Sequence, residues 1–222
     1  MTQSSPYQPV LLRILHGTTG VLTISALISG FLVYNTYDKR WGSLDLLALG
    51  NIQDIHGTIA LTFLLILPIF ALYSFHLGYR RLVQAQSFSQ LNQINQPIWW
   101  IAVHRFANTL MLVTATFAVV TGRMMKEEWL PAGEIQQVWY LAHLVAWLCV
   151  FVSLAFHLLT GAKVGGTPLL LSMFNWQIRS GDNPRAWLQG IQLKPSSLIL
   201  NVIEGIVIGG ILIAFILPAF HS

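Results

Sequence analysis

Long apolar stretches alternate with short polar segments along this chain. Five stretches approach or exceed the roughly 20 residues that an α-helix needs to cross a bilayer. They cover residues 10–34, 55–75, 98–122, 138–161 and 198–220. Each is apolar around the whole helix circumference, which is typical of a helix that contacts lipid and other helices. None shows the strict alternation of a barrel strand. The pattern predicts an all-α integral membrane bundle.

Composition supports this prediction. Only 9% of the 222 residues are charged, 55% are hydrophobic and the mean hydropathy is +0.62, whereas a soluble domain carries about 25% charged residues. The single cysteine, Cys149, lies inside an apolar stretch and excludes an intramolecular disulfide or a thiolate metal site. The N-terminus lacks the Lys/Arg-rich start of a signal peptide, so we expect the first stretch to be retained.

Lysine and arginine are unevenly distributed between the two sides that alternating helices define. One side carries eight: Arg13, Arg80, Arg81, Arg105, Lys163, Arg179, Arg185 and Lys194. The other carries four, Lys39, Arg40, Arg123 and Lys126, and six acids, Asp38, Asp45, Asp54, Glu127, Glu128 and Glu134. The positive-inside rule therefore predicts that the N-terminus is inside and the C-terminus, with His221, is outside. The basic side favours anionic lipid headgroups, and no nucleic acid is expected.

The longest connection covers residues 163–197 and contains Trp176 and Trp187. We interpret it as an interfacial amphipathic segment; the alternative is a docking surface for a partner. The predicted organisation is a core at 1–165, an inner-side interfacial loop at 166–197 and a fifth transmembrane helix at 198–222.

Six of the seven histidines lie in or beside the first four spans, where ionisable residues are rare and usually functional. His143 and His157 are 14 positions apart in the fourth span, so they share a helix face about 21 Å apart along the axis. His16 begins the first span on the inner side, and His56 begins the second on the outer side. The depths predict two pairs, His16 with His157 and His56 with His143. Two neutral imidazoles at each of two depths suit two bis-histidine haem b groups.

Other residues are candidates around these pairs. Gly17 and Gly57 each follow a predicted ligand within a His-Gly-Thr tripeptide. They would leave room for the flat ring, or alternatively would serve close helix packing. His104 is the main rival to His16, or would serve a propionate, a quinone or a proton path. His76 points away from the face that carries His56, and we interpret it as an interfacial residue.

Cations and one acid complete the candidate site. Arg13, Arg105 and Arg123, with Lys126, would compensate anionic haem propionates, or would be ordinary anchors at helix ends. Glu204 lies about two turns into the fifth span, where a carboxylate should be protonated or paired. It would hydrogen-bond a quinone or pass protons, or alternatively would be a neutral packing residue beside the Gly205–Gly209 spacing.

The stretches "RILHGTTGVL", "DIHGTIALT" and "AHLVAWLCVFVSLAFH" resemble the bacterial di-haem b-type cytochromes. These include the bacterial cytochrome b561 proteins and the cytochrome b subunits of nickel–iron hydrogenases and formate dehydrogenases. "TGRMMKEEWLP" is similar to their outer turn after the third helix. The resemblance covers roughly residues 8–165 and implies a four-helix di-haem core with ligands at His16, His56, His143 and His157. The fifth span, His76 and His104 depart from the compact members.

Membership of that family would imply transmembrane electron transfer between a quinone and a partner across the membrane. The expected partners are lipid, a quinone, and a redox protein or a larger respiratory or photosynthetic complex in a bacterial inner or thylakoid membrane. The protein would be an electron carrier, with quinone oxidoreductase activity left open. Two alternatives are an accessory structural subunit and a proton or metal transporter. A transporter would cluster its histidines at one depth, and here they divide between two.

Overall fold

The computed structural model describes residues 7–46, 49–175, 177–179, 182–184, 187, 191 and 197–217. Its helices are α1 (Val10–Tyr37), α2 (Ile52–His76), α3 (Ala85–Gln90), α4 (Pro97–Arg123), α5 (Val138–Ser172) and α6 (Leu198–Ile216). A 3₁₀ turn at Tyr79–Arg81 links α2 to α3. Within the described part of the chain, five helices are long and apolar enough to cross a membrane, namely α1, α2, α4, α5 and α6. The predicted all-α membrane bundle is confirmed.

The helix ends differ from the predicted limits because polar residues at the interfaces join the helices. α1 continues for three residues beyond position 34, and α2 begins at Ile52 rather than 55. α4 begins at Pro97, whose fixed φ suits the first helical position. α6 ends at Ile216, and residues 218–222, with His221, lie outside the described part of the chain.

The largest difference is at the end of α5, where helix replaces the first part of the predicted loop. Helical hydrogen bonding runs to Ser172 but is interrupted at Gly166, whose φ of 61° and ψ of −166° are outside the helical region. Such a backbone conformation is open to glycine and strained for other residues. The boundary at 165/166 stays a prediction. The interfacial character of the loop stays a prediction, because Trp176, Arg185 and Lys194 lie outside the described residues.

The core lies where α6 packs against α2 and α4. It contains Phe63, Leu67, Ala71 and Phe75 of α2, Leu112 and Ala115 of α4, and Leu200, Val207 and Ile211 of α6. A Cβ atom at Gly210 would lie 2.6 Å from Thr116 Cγ2, so glycine permits the close approach of α6 to α4. A Cβ atom at Gly205 or Gly209 would meet nothing within 4 Å. The expectation that the Gly205–Gly209 spacing packs helices is therefore wrong, and Gly210 has that role.

Side-chain contacts show which helix termini lie together at each end of the bundle. Arg105 donates to the Arg80 carbonyl, Arg81 donates to Gln8, and the Lys163 ammonium lies 5.5 Å from the ring centre of Trp100. We call this the basic end. At the opposite end Gln53 donates to the Glu127 carbonyl. The spanning helices therefore alternate in direction.

The basic end also joins the start of α1 to the segment after α5. Asp182 Oδ2 accepts hydrogen bonds from the Tyr7 hydroxyl at 2.7 Å and the Val10 amide at 2.6 Å. Val10 is the first residue of α1, where helix amides lack internal partners and a negative charge is favourable. Arg179 lies over the Tyr7 ring at 4.1 Å. A carboxylate distant in sequence thus caps the first membrane helix.

At the opposite end, Asp38, Arg40 and Tyr140 form a cluster that we call the latch. The Asp38 carboxylate is fully buried and accepts from Arg40 Nε at 2.7 Å and from the Tyr140 hydroxyl at 2.8 Å. Arg40 also donates to the Ile135 carbonyl and lies over the Tyr140 ring. The latch joins the end of α1 to the start of α5.

Candidate functional site

His56 and His143 come together near the opposite end of the bundle. Their ring centres are 6.1 Å apart, with an interplanar angle of 67°. Two imidazoles that bind one metal ion from opposite sides have ring centres about 6 Å apart, because each metal–nitrogen bond is about 2 Å long. The spacing of these two rings therefore fits a shared metal ion.

The hydrogen bonds of both rings leave the same nitrogen available. His143 Nδ1 lies 3.1 Å from the Ala118 carbonyl oxygen, which only accepts, so Nδ1 carries the proton. His56 Nδ1 lies 2.9 Å from Ser29 Oγ, whose own proton is donated to the Ser25 carbonyl. His56 Nδ1 is therefore also a donor. In each ring Nε2 keeps its lone pair, the arrangement of metal-binding histidines whose other nitrogen is held by an acceptor.

Three histidine rings lie together near the basic end. His157 is 5.8 Å from His16, with an interplanar angle of 38°, and 5.3 Å from His104, with an angle of 25°. The predicted partner of His157 and its rival both contact this ring. The ring of His16 also meets Phe70 of α2 edge-on, at 6.4 Å.

The same nitrogen is fixed in two of these three rings. His157 Nδ1 lies 2.7 Å from Asn108 Oδ1, while Asn108 Nδ2 donates to the Arg81 carbonyl. This second bond orients the amide, so His157 Nδ1 donates to Oδ1 and Nε2 is left with its lone pair. His104 Nδ1 lies 2.9 Å from Thr160 Oγ1, which donates its own proton to the Phe156 carbonyl. In His104, as in His157, Nδ1 is therefore the donor and Nε2 keeps its lone pair.

Four glycines lie next to the candidate ligands in sequence or in space. A Cβ atom on Gly17 or Gly57 would meet nothing within 4 Å, so neither glycine packs closely against a neighbouring helix in the described structure. The helix-packing alternative for these two residues is therefore not supported. Gly30 and Gly122 lie against the rings of His56 and His143. A Cβ atom on Gly30 would lie 3.2 Å from His56 Cε1, and one on Gly122 would lie 3.2 Å from His143 Cε1. A side chain at either position would press on a ring.

Comparison with known families decides the class of protein. Residues 7–176 match the family model of prokaryotic cytochrome b561. The chain belongs to the prokaryotic cytochrome b561 family. Comparison with curated proteins and with solved structures gives no match. Family membership implies an integral membrane cytochrome that transfers electrons across the membrane through haem b.

The cationic residues predicted around the cytochrome's haem sites have different surroundings. Arg13 is buried, and its Nη2 donates to the Gln177 carbonyl at 2.8 Å, while its buried Nε has no partner among the described residues. Arg105 is half-buried and donates to the Arg80 carbonyl and Gln90. Arg123 donates to the Ala214 carbonyl of α6. Of these three arginines, only Arg13 has a buried nitrogen without a hydrogen-bond partner among the described residues, and this Nε is available to an anionic group.

Glu204 and His76 meet each other. His76 Nε2 lies 2.9 Å from Glu204 Oε1, which joins the last residue of α2 to the second turn of α6. The sequence alone predicts that His76 lies at an interface and that Glu204 hydrogen-bonds a quinone, passes protons or packs as a neutral residue. Their pairing was not predicted, because the sequence does not state which helices are neighbours.

Sequence reasoning also missed the residues that hold the rings, namely Ser29, Asn108, Thr121 and Thr160. Thr121 Oγ1 lies 3.1 Å from His143 Nδ1. A signal for these residues was present, since polar side chains within a membrane span usually face a partner rather than lipid. Asn108 is the clearest case, because its amide lies near the middle of the span.

We expect replacement of Asn108 by leucine to weaken haem binding at the basic end by about 10- to 100-fold, the usual cost of losing a group that orients a ligand histidine. The reduction potential of that haem should rise, because His157 becomes a weaker electron donor without its acceptor. Haem transfer to apomyoglobin and a redox titration measure the two effects. Asn108→Asp, which keeps an acceptor oxygen, should retain most of the affinity; equal losses in both variants would contradict the assigned role.

Proposed function

We propose that the cytochrome carries electrons across the membrane through two haem b groups, each bound by two histidines, and exchanges them with a membrane quinone. His56 and His143 would bind one haem, and His16 and His157 would bind the other. When bound, each haem would supply an iron that accepts and releases one electron. Two histidines on each haem would leave no position for oxygen on the iron, which would favour electron transfer over oxygen binding.

The observation that carries this proposal is the hydrogen bonding of the histidine rings, which is alike in three of the four proposed ligands. His56, His143 and His157 each have Nδ1 held by an acceptor and Nε2 left with its lone pair. The two proposed pairs have ring centres 6.1 and 5.8 Å apart, close to the separation expected for two imidazoles on one metal ion. Neutral rings with a fixed tautomer are prepared to bind iron.

The surroundings of the rings fit a flat anionic cofactor. Gly17 and Gly57 leave open space beside His16 and His56. Arg13 lies one helical turn before His16, and its buried Nε is suited to a propionate oxygen. His143 and His157 are separated by about 21 Å along α5, so the two sites lie at different depths. Two sites at different depths support electron transfer from one membrane face toward the other.

Quinone, partner and orientation belong to the proposal. Glu204 and His104 are the candidate quinone-facing residues near the basic end, and Arg105 and Arg123 are candidate cations at the edges of the two sites. The basic end would face the inside, with the N-terminus, in a bacterial inner or thylakoid membrane. The electrons would pass to or from a redox protein or a larger respiratory or photosynthetic complex.

The test is a reduced-minus-oxidised optical spectrum of the purified protein together with haem quantification. We expect b-type bands and two haem groups per chain. One haem per chain would contradict the two-site arrangement. Protein that is folded and monodisperse yet takes up no haem b would contradict the function as a whole.

A further inference from the structure

Two titratable side chains meet at the contact between α2 and α6. His76 Nε2 and Glu204 Oε1 are 2.9 Å apart, and their side chains are 22% and 17% exposed. The pair is therefore mostly covered by protein but still open at one side. Glu204 lies about 9 Å along α6 from Leu198, its first residue, which places it below the surface at the basic end.

Packing alone already explains the attachment of α6. Leu200, Val207 and Ile211 are buried in the core shared with α2 and α4, and Gly210 allows close contact with Thr116. A partly buried imidazole–carboxylate pair adds little stability in such a place, because desolvation opposes the attraction of the two groups. Ionisable groups within a membrane span are usually functional. The pair therefore points to a role in chemistry rather than in holding the helix.

Space for a flat molecule lies beside the carboxylate. Gly205 follows Glu204 directly and is exposed, and Gly209 lies one turn further on the same face. A Cβ atom at either glycine would meet nothing within 4 Å. Asn201, one turn nearer to the start of α6, is also exposed. An aromatic ring in the lipid can thus approach Glu204 over the glycines, and a polar side chain lies between Glu204 and the interface.

We propose that the His76–Glu204 pair is the proton-exchange site for a lipid-soluble hydroquinone that lies over Gly205 and Gly209 of α6. The inference rests on the proposed function, because the electrons of the hydroquinone need the two haem irons as acceptors. It adds to that function the role of His76, the glycine surface of α6 and the route of the protons, none of which follows from the haem ligands.

The proton balance of the reaction fits the pair. Oxidation of a hydroquinone to a quinone breaks two O–H bonds and releases two protons and two electrons. The two bound haems would supply the two one-electron acceptors that the electrons need. The His76–Glu204 pair accepts one proton from the hydroxyl, releases it to water at the basic end, and then accepts the second. Reduction of a quinone is the same sequence in reverse.

The experiment measures reduction of the haems in purified, haem-loaded protein in lipid nanodiscs, with duroquinol and menadiol as electron donors. Glu204→Gln should slow reduction by about 10²-fold or more, the usual contribution of a positioned general base. His76→Gln should also slow it, and Glu204→Asp should recover part of the rate. Reduction by dithionite and the haem content should remain unchanged. Glu128→Gln, an exposed acid at the opposite end, is the matched control and should behave as wild type.

A second measurement is independent of the rate. Infrared difference spectra between oxidised and quinol-reduced protein should contain a carboxyl band that Glu204→Gln removes and Glu128→Gln keeps. Unchanged rates and spectra in both pair variants would overturn the inference and leave the haem assignment intact. A slower rate that follows a loss of haem in Glu204→Gln, His76→Gln and Glu204→Asp alike would overturn it in favour of a structural clamp. Wild-type protein without haem b would instead contradict the proposed function.

Discussion

Replacing His157 with alanine is expected to remove one haem of two, leaving one haem b per chain at the site of His56 and His143. The reason is geometric: His157 is the ring that both His16 and His104 contact, at 5.8 and 5.3 Å. Loss of the shared ligand removes the site whichever ring is its partner. Haem quantification and a redox titration of the purified variant measure the effect. His143→Ala should remove the other haem and leave the first.

Single variants of the two neighbouring rings then identify the partner. If His16 is the ligand, His16→Ala should remove the same haem as His157→Ala, and His104→Ala should keep it. The opposite result would assign the ligand to His104, whose Nδ1 is held by Thr160. His76→Ala is the matched histidine control, because His76 pairs with Glu204, and it should retain both haems. Retention of two haems in His157→Ala would contradict the assignment of the site itself.

Replacing Asp38 with alanine is expected to destabilise the protein by about 3 kcal/mol, the lower end of the cost of breaking a buried ion pair. The Asp38 carboxylate is fully buried, and its removal leaves the Arg40 guanidinium and the Tyr140 hydroxyl without their acceptor. The free energy of unfolding is measured by denaturation in mixed micelles, followed by tryptophan fluorescence.

Two further variants separate the contributions of single groups to the stability of the latch. Tyr140→Phe removes only the hydrogen bond from the tyrosine hydroxyl to the charged carboxylate and should cost about 2 kcal/mol. Glu128→Ala, at an exposed position of the same end, should have a small effect. A loss below about 1 kcal/mol in Asp38→Ala would show that the latch is not a stabilising feature of the bundle.

The sequence was sufficient for the helices, and the histidine pairs stay a prediction, with the ring centres of the predicted pairs 6.1 and 5.8 Å apart. Apolar length predicts the spans, and the separation of His143 and His157 predicts one shared face at two depths. Alternating helix direction then brings His16 toward one of them and His56 toward the other. These inferences need only the helix repeat and the thickness of the bilayer.

The lateral arrangement of the helices was beyond sequence reasoning. Pairing of His76 with Glu204 depends on α6 lying against α2, and contact of His104 with His157 depends on the rotation of α4 against α5. Hydropathy is nearly uniform around these helices, so it does not report which face meets which neighbour. The break at Gly166 was also missed, because a glycine in sequence does not reveal a positive φ.

The cap that Asp182 provides for α1 has a consequence for biosynthesis. Val10 begins the first membrane helix, whereas Asp182 follows α5. Because a chain is synthesised from its N-terminus, the first helix enters the membrane well before its cap is made. Until then, its first amides depend on water at the membrane surface. Closure of the basic end is therefore a late event in assembly, after four of the five spanning helices have been made.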